Sequence, residues 1–195
     1  HVLLNKLYSE LEKNEIKTYE ADLKPHTRFL IDQDILGSIE IEGDYEKGEK
    51  VNRLYKTPQI KPSSFKPKLK VASIDLESDK TQKELFCIGI YSPDYRQNFM
   101  VTREKNLKYV TPCDSEEDCL KKFKEALLKL DPDIITGWNL IDFDLAYLQT
   151  LFKKHKIPFD LGRDDTNVRL RLESNFFRAS SADMPGRQVL DGLNM

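Results

Sequence analysis

Two carboxylates, Asp75 and Glu77, stand one residue apart at the end of an apolar run over 69–76. Side chains on a β-strand alternate between the two faces of a sheet, so both carboxylates point to the same side. A third acid, Asp144, follows a second strand-like segment at 133–138. Three oxygen ligands at one end of a sheet are what a pair of divalent ions needs for phosphodiester cleavage. The pattern therefore predicts a two-metal hydrolytic site.

The spacing of Asp75 and Glu77 is weakly specific by itself, because 114–116 has the same spacing and is expected to begin a helix. The position of the pair is more informative. Two neighbouring like charges at the end of an apolar strand are tolerated only when they are solvated or when a cation neutralises them. The alternative for Asp144 is a first-turn acid that favours the positive end of a helix, a role we assign to Asp142.

Length and composition limit the possible classes of protein. The 195 residues are 39% hydrophobic and 33% charged, which suits one domain, or a domain with a smaller appendage. No apolar run approaches the ~20 residues that span a membrane, and the start lacks a signal-peptide layout. Because the chain begins without Met, its first residue is not expected to be a natural terminus. Three cysteines without a CxxC pair favour a reducing compartment and argue against zinc.

Charge is distributed unevenly along the chain. The net charge of −2 is not the overall signature of a nucleic-acid-binding protein. The stretch 47–70, however, holds eight basic residues and one acid, a local charge of +7. This stretch is either a solvated linker that repels itself or a strip that contacts phosphates, and both interpretations stay open.

The first third of the chain is predicted to be a small, mainly β domain. Apolar residues at helical spacing over 2–11 predict one helix that ends near Asn14. Strands are predicted at 18–23, 28–32, 38–42 and 50–55, the last two as a hairpin around 43–48. A Lys- and Ser-rich stretch marks the boundary with its prolines, Pro58, Pro62 and Pro67. We therefore predict one domain over 1–62 and a second over 63–195.

The second domain is predicted to hold a mixed α/β sheet. Three consecutive strands on short connections, hence antiparallel neighbours, are predicted at 70–77, 84–91 and 97–102. Ser115 is expected to cap a helix, and 133–138 predicts a buried strand before a second helix near Asp142. A crossover through the first helix makes the fourth strand parallel to one of the first three. This element order is that of the ribonuclease H-like fold, in which Asp144 could join the paired carboxylates.

Two motifs resemble those of family B DNA polymerases. Residues 75–78 (Asp-Leu-Glu-Ser) resemble the first exonuclease motif of that family, and 139–144 (Asn-Leu-Ile-Asp-Phe-Asp) resemble the second. Residues 19–23 and 28–32 are similar to the amino-terminal domain of that family. Residues 131–139 and 161–164 are similar to its branch of bacterial DNA polymerase II. The resemblance extends over nearly the whole chain. It implies a ribonuclease H-like 3′→5′ exonuclease domain preceded by a small amino-terminal domain.

The resemblance also assigns roles to residues. The metal ligands of a proofreading exonuclease would be Asp75, Glu77 and Asp144. The contacts to the single-stranded primer end would be Ser78, Asn139 and Phe143, although an isolated Phe more often belongs to the core. Oxygen ligands favour Mg²⁺ or Mn²⁺ over zinc. The implied partners are DNA, as a single-stranded 3′ end and a primer–template, and a sliding clamp reached through a region beyond this chain. The implied location is the bacterial cytoplasm, near the nucleoid, and no membrane partner is expected.

One departure from the family pattern limits the predicted activity. The third exonuclease motif of the family is a Tyr followed four residues later by an Asp, but Tyr147 and His155 are followed at that spacing by Leu151 and Phe159. We therefore expect a fragment of an exonuclease domain that is weakly active or inactive on its own. Two alternatives stay open: a non-catalytic scaffold that binds nucleic acid through 47–70, and a free-standing DEDD-type exonuclease.

Overall fold

Residues 2–19, 23–48, 51–173 and 179–194 are described by a computed structural model of the chain, with side chains described from Lys6 onward. They divide into two compact units, unit 1 at His1–Pro67 and unit 2 at Lys68–Met195. The division follows the last of the three prolines, a few residues after Pro62. No helix in the described ranges is long and apolar enough to cross a bilayer.

Unit 1 begins with two helices, α1 (Val2–Lys13) and α2 (Pro25–Asp32). The end of α1 just before Asn14 confirms the predicted helix. The strand predicted at 28–32 is wrong, because this segment lies in α2. Pro25 suits the first turn of a helix, and the Nε of Arg28 lies 2.8 Å from Oδ1 of Asp32 one turn later. The strand predicted at 18–23 falls partly on 20–22, outside the described residues, and its described members form no strand.

Among the described residues of unit 1, four short strands follow and pair in a nested arrangement. They are β1 (Ile39–Glu42), β2 (Tyr45–Glu46), β3 (Leu54–Tyr55) and β4 (Gln59–Pro62). β2 pairs with β3, whereas β1 pairs with β4, both antiparallel. The predicted hairpin between 38–42 and 50–55 is therefore wrong, because β1 pairs with the more distant β4, which places Ile41 opposite Ile60. The expectation of a mainly β unit holds for 39–62 only.

Unit 2 is organised around a six-stranded mixed sheet. The strands of this unit are β5 (Val71–Ser78), β6 (Leu85–Ser92), β7 (Tyr95–Val101), β8 (Val110–Cys113), β9 (Ile134–Gly137), β10 (Arg169–Arg171), β11 (Ser181–Asp183) and β12 (Gln188–Asp191). The order in the sheet is β12-β9-β5-β6-β7-β8, while β10 and β11 form a separate pair. β5, β6 and β7 are antiparallel neighbours and β9 lies parallel to β5. This confirms the predicted ribonuclease H-like arrangement. Strands β8, β10, β11 and β12 were not predicted.

Helices cover one face of this sheet. Helix α3 (Glu116–Leu130) starts where Oγ of Ser115 accepts a hydrogen bond from the Asp118 N–H at 3.2 Å, as the capping pattern predicts. Its apolar stripe packs on the sheet, with Phe123 and Leu127 fully buried. Along β5, Ala72, Ile74 and Leu76 lie in the same core. Because side chains alternate along a strand, Asp75 and Glu77 point to the opposite face.

Candidate active site

A tight turn at the end of β9 positions the second motif. A Cβ added to Gly137 would lie 2.6 Å from the carbonyl oxygen of Ile74, so only glycine lets β9 approach β5 this closely. Asn139 follows in the left-handed region at φ 53°, which Asn tolerates better than most residues. A π-helical turn at Leu140–Leu145 then leads directly into α4 (Ala146–Lys154). Such turns occur often at functional sites.

This turn places the carboxylate of Asp144 beside β5. Oδ1 of Asp144 accepts a hydrogen bond from the Leu76 N–H at 2.9 Å, and the side chain is 1% exposed. The strand pairing leaves room for this contact, because β9 pairs with β5 only over Val71–Ser73. Asp144 therefore lies against the backbone of the residue that separates Asp75 from Glu77.

The surroundings of Asp144 raise the pKa of its carboxyl group above the ordinary value. Burial raises its pKa to about 7, and the nearby charges of Asp75 and Asp191 act in the same direction, while the Leu76 N–H opposes them. A bound divalent cation would supply the missing positive charge and favour the ionised carboxylate. A buried carboxylate with a raised pKa beside further acids is a pattern typical of functional sites.

Asp75 and Glu77 line a groove of about 330 Å³ on the open face of the sheet. Both are exposed, and each lies opposite a residue of β6, Gly89 for Asp75 and Cys87 for Glu77. Burial raises the pKa of the Cys87 thiol to about 11, so this groove residue stays protonated at neutral pH. The groove therefore presents two carboxylates to solvent and no thiolate.

The three acids do not form a preassembled cage. Within the described residues, no three His, Cys, Asp or Glu side chains lie close enough together to hold one ion. Mutual repulsion between carboxylates opposes close approach when no cation is bound. The donor set nevertheless fits a hard divalent ion, since it consists of carboxylate oxygens only.

The three residues expected to contact a DNA strand lie at the edges of this region. Ser78 follows a register shift between β5 and β6, and its Oγ donates to the Asp79 carbonyl oxygen at 3.1 Å. Asn139 is half-buried in the turn, and Phe143 is 37% exposed, so Phe143 is not a core residue. Trp138 was expected within a buried strand but lies just after β9 and is 72% exposed.

Asp191, at the end of β12, was not predicted as a site residue. Its carboxylate is buried and accepts hydrogen bonds from two backbone N–H groups, those of Ile141 at 2.8 Å and Leu193 at 3.0 Å. Its Oδ2 thus fixes the start of the π-helical turn, while its Oδ1 binds the turn at Gly192–Asn194 that follows β12. The available sequence signal was an acid directly after the apolar residues Val189 and Leu190. Asp142 lies in the first turn of the π-helical segment, as predicted, and its Oδ1 accepts from Oγ of Ser180 at 2.6 Å.

The other candidates behave as structural residues. Tyr147 is buried, and its hydroxyl has no partner among the described residues. Nε2 of His155 lies 2.5 Å from Oε1 of Glu116 in a partly buried pair. Neither replaces the third motif.

The basic stretch 47–70 is partly neutralised by acids of the same unit. Nζ of Lys56 lies 2.9 Å from Glu46, and Nζ of Lys61 lies 2.8 Å from Glu42. Residues 49–50 are outside the described ranges. These pairs reduce the positive charge that the described part of the stretch offers to a phosphate backbone.

Comparison with known proteins points to one family. The family model for the exonuclease domain of DNA polymerase family B matches residues 55–195. DNA polymerase II of Escherichia coli (strain K12) is 31% identical over 202 residues, which cover 99% of this chain and 25% of that protein. A DNA polymerase of Archaeoglobus fulgidus is 31% identical over 177 residues, covering 88% of this chain and 21% of that protein.

A solved structure supports the fold. The family B DNA polymerase from the hyperthermophilic archaeon Pyrobaculum calidifontis has a TM-score of 0.60 at 20% identity, over 90% of this chain and 23% of that one. At this identity the likeness establishes the ribonuclease H-like fold alone. The chain spans about a quarter of the length of these relatives.

Proposed function

The chain belongs to DNA polymerase family B, and on that premise we propose that it carries part of a proofreading 3′→5′ exonuclease of a DNA-directed DNA polymerase. One observation carries the proposal: the buried carboxylate of Asp144 binds the backbone N–H of Leu76, between Asp75 and Glu77. A structural acid would gain little from such burial, which raises its pKa and destabilises its charged form. A metal ligand gains a fixed position beside the other two acids.

We propose that Asp75, Glu77 and Asp144 hold two divalent ions, Mg²⁺ or Mn²⁺. Such ions supply a hydroxide nucleophile and stabilise the leaving 3′ oxygen in phosphodiester hydrolysis. The Leu76 N–H fixes the orientation of the Asp144 carboxylate before any ion binds. Because the pKa of Asp144 is about 7, metal binding at neutral pH releases a proton from part of the molecules.

The substrate we propose is the unpaired 3′ end of a DNA strand. Exposed Phe143 offers a ring for stacking on a base, which binds a strand without sequence preference. Half-buried Asn139 precedes the π-helical turn, and half-buried Ser78 is the last residue of β5. From these positions their polar groups can reach the sugar and phosphate of a bound strand. The sliding clamp and the bacterial cytoplasmic location remain predictions for the longer protein.

This proposal predicts little activity for the chain alone. One carboxylate and the Tyr of the third motif are missing from the sequence, and misplacement of reacting groups can lower a rate by ~10²-fold. The test compares this chain with a version extended through the third motif, on one 5′-labelled single-stranded oligonucleotide with Mg²⁺. The extended version should shorten the oligonucleotide from its 3′ end, and Asp75→Ala combined with Glu77→Ala should abolish this activity.

Two outcomes would contradict the proposal. Digestion by the extended version that survives the double substitution would exclude these carboxylates as catalytic residues. Rapid digestion by the 195-residue chain that depends on Asp75 would show that the third motif is dispensable. Asp114→Ala, at an exposed acid with the same spacing to Glu116, is the matched control and should change neither result.

A further inference from the structure

The open face of the six-stranded sheet carries a cluster of two tyrosines and two cations. The Tyr91–Arg96 cluster consists of Tyr91, Arg96, Lys108 and Tyr109. The guanidinium carbon of Arg96 lies 5.2 Å from the ring centre of Tyr91 and 5.4 Å from that of Tyr109, and Nζ of Lys108 lies 4.9 Å from the latter ring. The two rings remain 50% and 45% exposed.

The cluster is continuous with the groove that contains the carboxylates. Tyr91 and Arg96 line the same groove as Asp75 and Glu77. The groove is open between the carboxylates and the cluster, because Gly89 lies directly opposite Asp75 and has no side chain to fill this space. A Cβ at Gly89 would come within 3.0 Å of a neighbouring amide oxygen.

The chemistry of the cluster suits a chain of bases and phosphates. In the described part of the chain, the contacts of Arg96 and Lys108 are with tyrosine rings, and neither forms an ion pair with a carboxylate. A stacked guanidinium is held in place while its N–H edge stays available to a phosphate. Exposed rings beside such cations form the kind of platform on which single-stranded bases stack.

We propose that the Tyr91–Arg96 cluster is a binding subsite for single-stranded nucleic acid, holding the strand upstream of the 3′-terminal bond at Asp75. The inference rests on the proposed function, since it takes a strand bound at the carboxylates as the occupant. From β5 to β8 there are three interstrand spacings of ~4.8 Å, or about 14 Å. At a stacked spacing of ~3.4 Å per nucleotide, about four nucleotides cover this distance.

The test measures binding of a fluorescein-labelled oligo(dT) of eight nucleotides to the 195-residue chain by anisotropy, in EDTA and over a range of salt concentrations. Arg96→Gln should weaken binding and flatten the plot of log K against log salt by about 0.7, the value for one phosphate contact on a single strand. Tyr91→Leu should lower affinity about fivefold or more without changing that slope. Lys108→Gln, at an exposed turn residue, repeats the slope test if Arg96→Gln impairs folding.

The matched control is Arg103→Gln, at an exposed arginine outside the groove. An equal loss of affinity for Arg103→Gln and Arg96→Gln, or no measurable binding by the unsubstituted chain, would overturn the inference. EDTA separates this result from the proposed function, because the metal site does not contribute. If the unsubstituted chain does not bind oligo(dT) but shows an Asp75-dependent response to Mn²⁺, only the subsite is contradicted. If it binds oligo(dT) through Arg96 and Tyr91 but shows no Asp75-dependent response to Mn²⁺, only the proposed metal site is contradicted.

Discussion

Asp144→Asn should stabilise the metal-free protein, and more so at higher pH. The Asp144 side chain is 1% exposed and its pKa is raised to about 7, mainly by burial. Because this pKa lies above the ordinary value of 3.8, the folded protein binds the proton more tightly than the unfolded chain. The stability that Asp144 contributes is complete below about pH 4 and is lost as the pH rises through about 7. Asparagine stays neutral and its Oδ1 can still accept from the Leu76 N–H.

The magnitude follows from the size of the pKa shift. Each pKa unit corresponds to ~1.4 kcal/mol, so ionising a group held near 7 rather than 4 costs at most about 4 kcal/mol. Between pH 5 and pH 8, the free energy of unfolding of the Asn variant should rise relative to the unsubstituted chain by about 2–3 kcal/mol. Comparing the two proteins cancels the titration of the acids that they share.

Urea denaturation in EDTA at pH 5, 6, 7 and 8 measures this difference. Asp114→Asn removes an exposed acid and serves as the control, for which the difference should stay within about 0.5 kcal/mol at every pH. A constant difference in the free energy of unfolding between Asp144→Asn and the unsubstituted chain across this range would show that Asp144 does not have a raised pKa. So would a loss of stability at pH 8, because the buried charge would then be favourable rather than costly.

Three further predictions concern the metal site and the framework around it. Mn²⁺ should raise the melting temperature of the unsubstituted chain by mass action, and Asp75→Ala should abolish the increase whereas Asp114→Ala should not. Asp131→Asn should lower the free energy of unfolding by about 1–3 kcal/mol, because Nη1 of Arg187, whose side chain is 1% exposed, donates to this carboxylate at 2.7 Å. Gly137→Ala should destabilise the protein by about 1–3 kcal/mol, because the added Cβ would lie 2.6 Å from a backbone oxygen of β5.

Each of these has a clear contradicting result. An equal loss of the Mn²⁺ effect in both Ala variants would mean that the ion binds surface acids nonspecifically. Asp94→Asn, at an exposed turn residue, is the control for Asp131→Asn, and equal stability of the two variants in urea would show that the buried guanidinium does not need its carboxylate. Gly37, whose Cβ would meet no atom within 4 Å, is the control for the glycine substitution, and equal effects of Ala at both positions would exclude the steric explanation.

Local sequence signals predicted the elements whose causes are local. The alternation of Ala72, Ile74 and Leu76 with polar residues predicted β5, and the Ser115 cap with its acidic first turn predicted α3. Where two local signals competed, the prediction was wrong. The short apolar run within 28–32 suggested a strand, yet Pro25 at the first helical turn suits a helix, and these residues lie in α2.

Strand pairing depended on contacts between distant residues. β1 pairs with β4 rather than with the segment after the nearest turn, and β12 adds to the sheet as a parallel neighbour of β9. Short strands of this kind carry weak patterns of their own, and their partners are chosen by packing in three dimensions. Asp191 escaped prediction for this reason, since its role follows from the position of β12.

From the sequence alone we could infer the identity of the acids, their placement at the ends of two apolar segments, and a resemblance that the match over 55–195 confirms. The fold then showed that Asp144 accepts a hydrogen bond from the Leu76 N–H, that its pKa is raised, and that Asp75 and Glu77 share a groove with Arg96. These properties could not be inferred from residue order, because desolvation and hydrogen bonding depend on which atoms surround a group. For Asp144, those atoms belong to a strand 68 residues away in the chain.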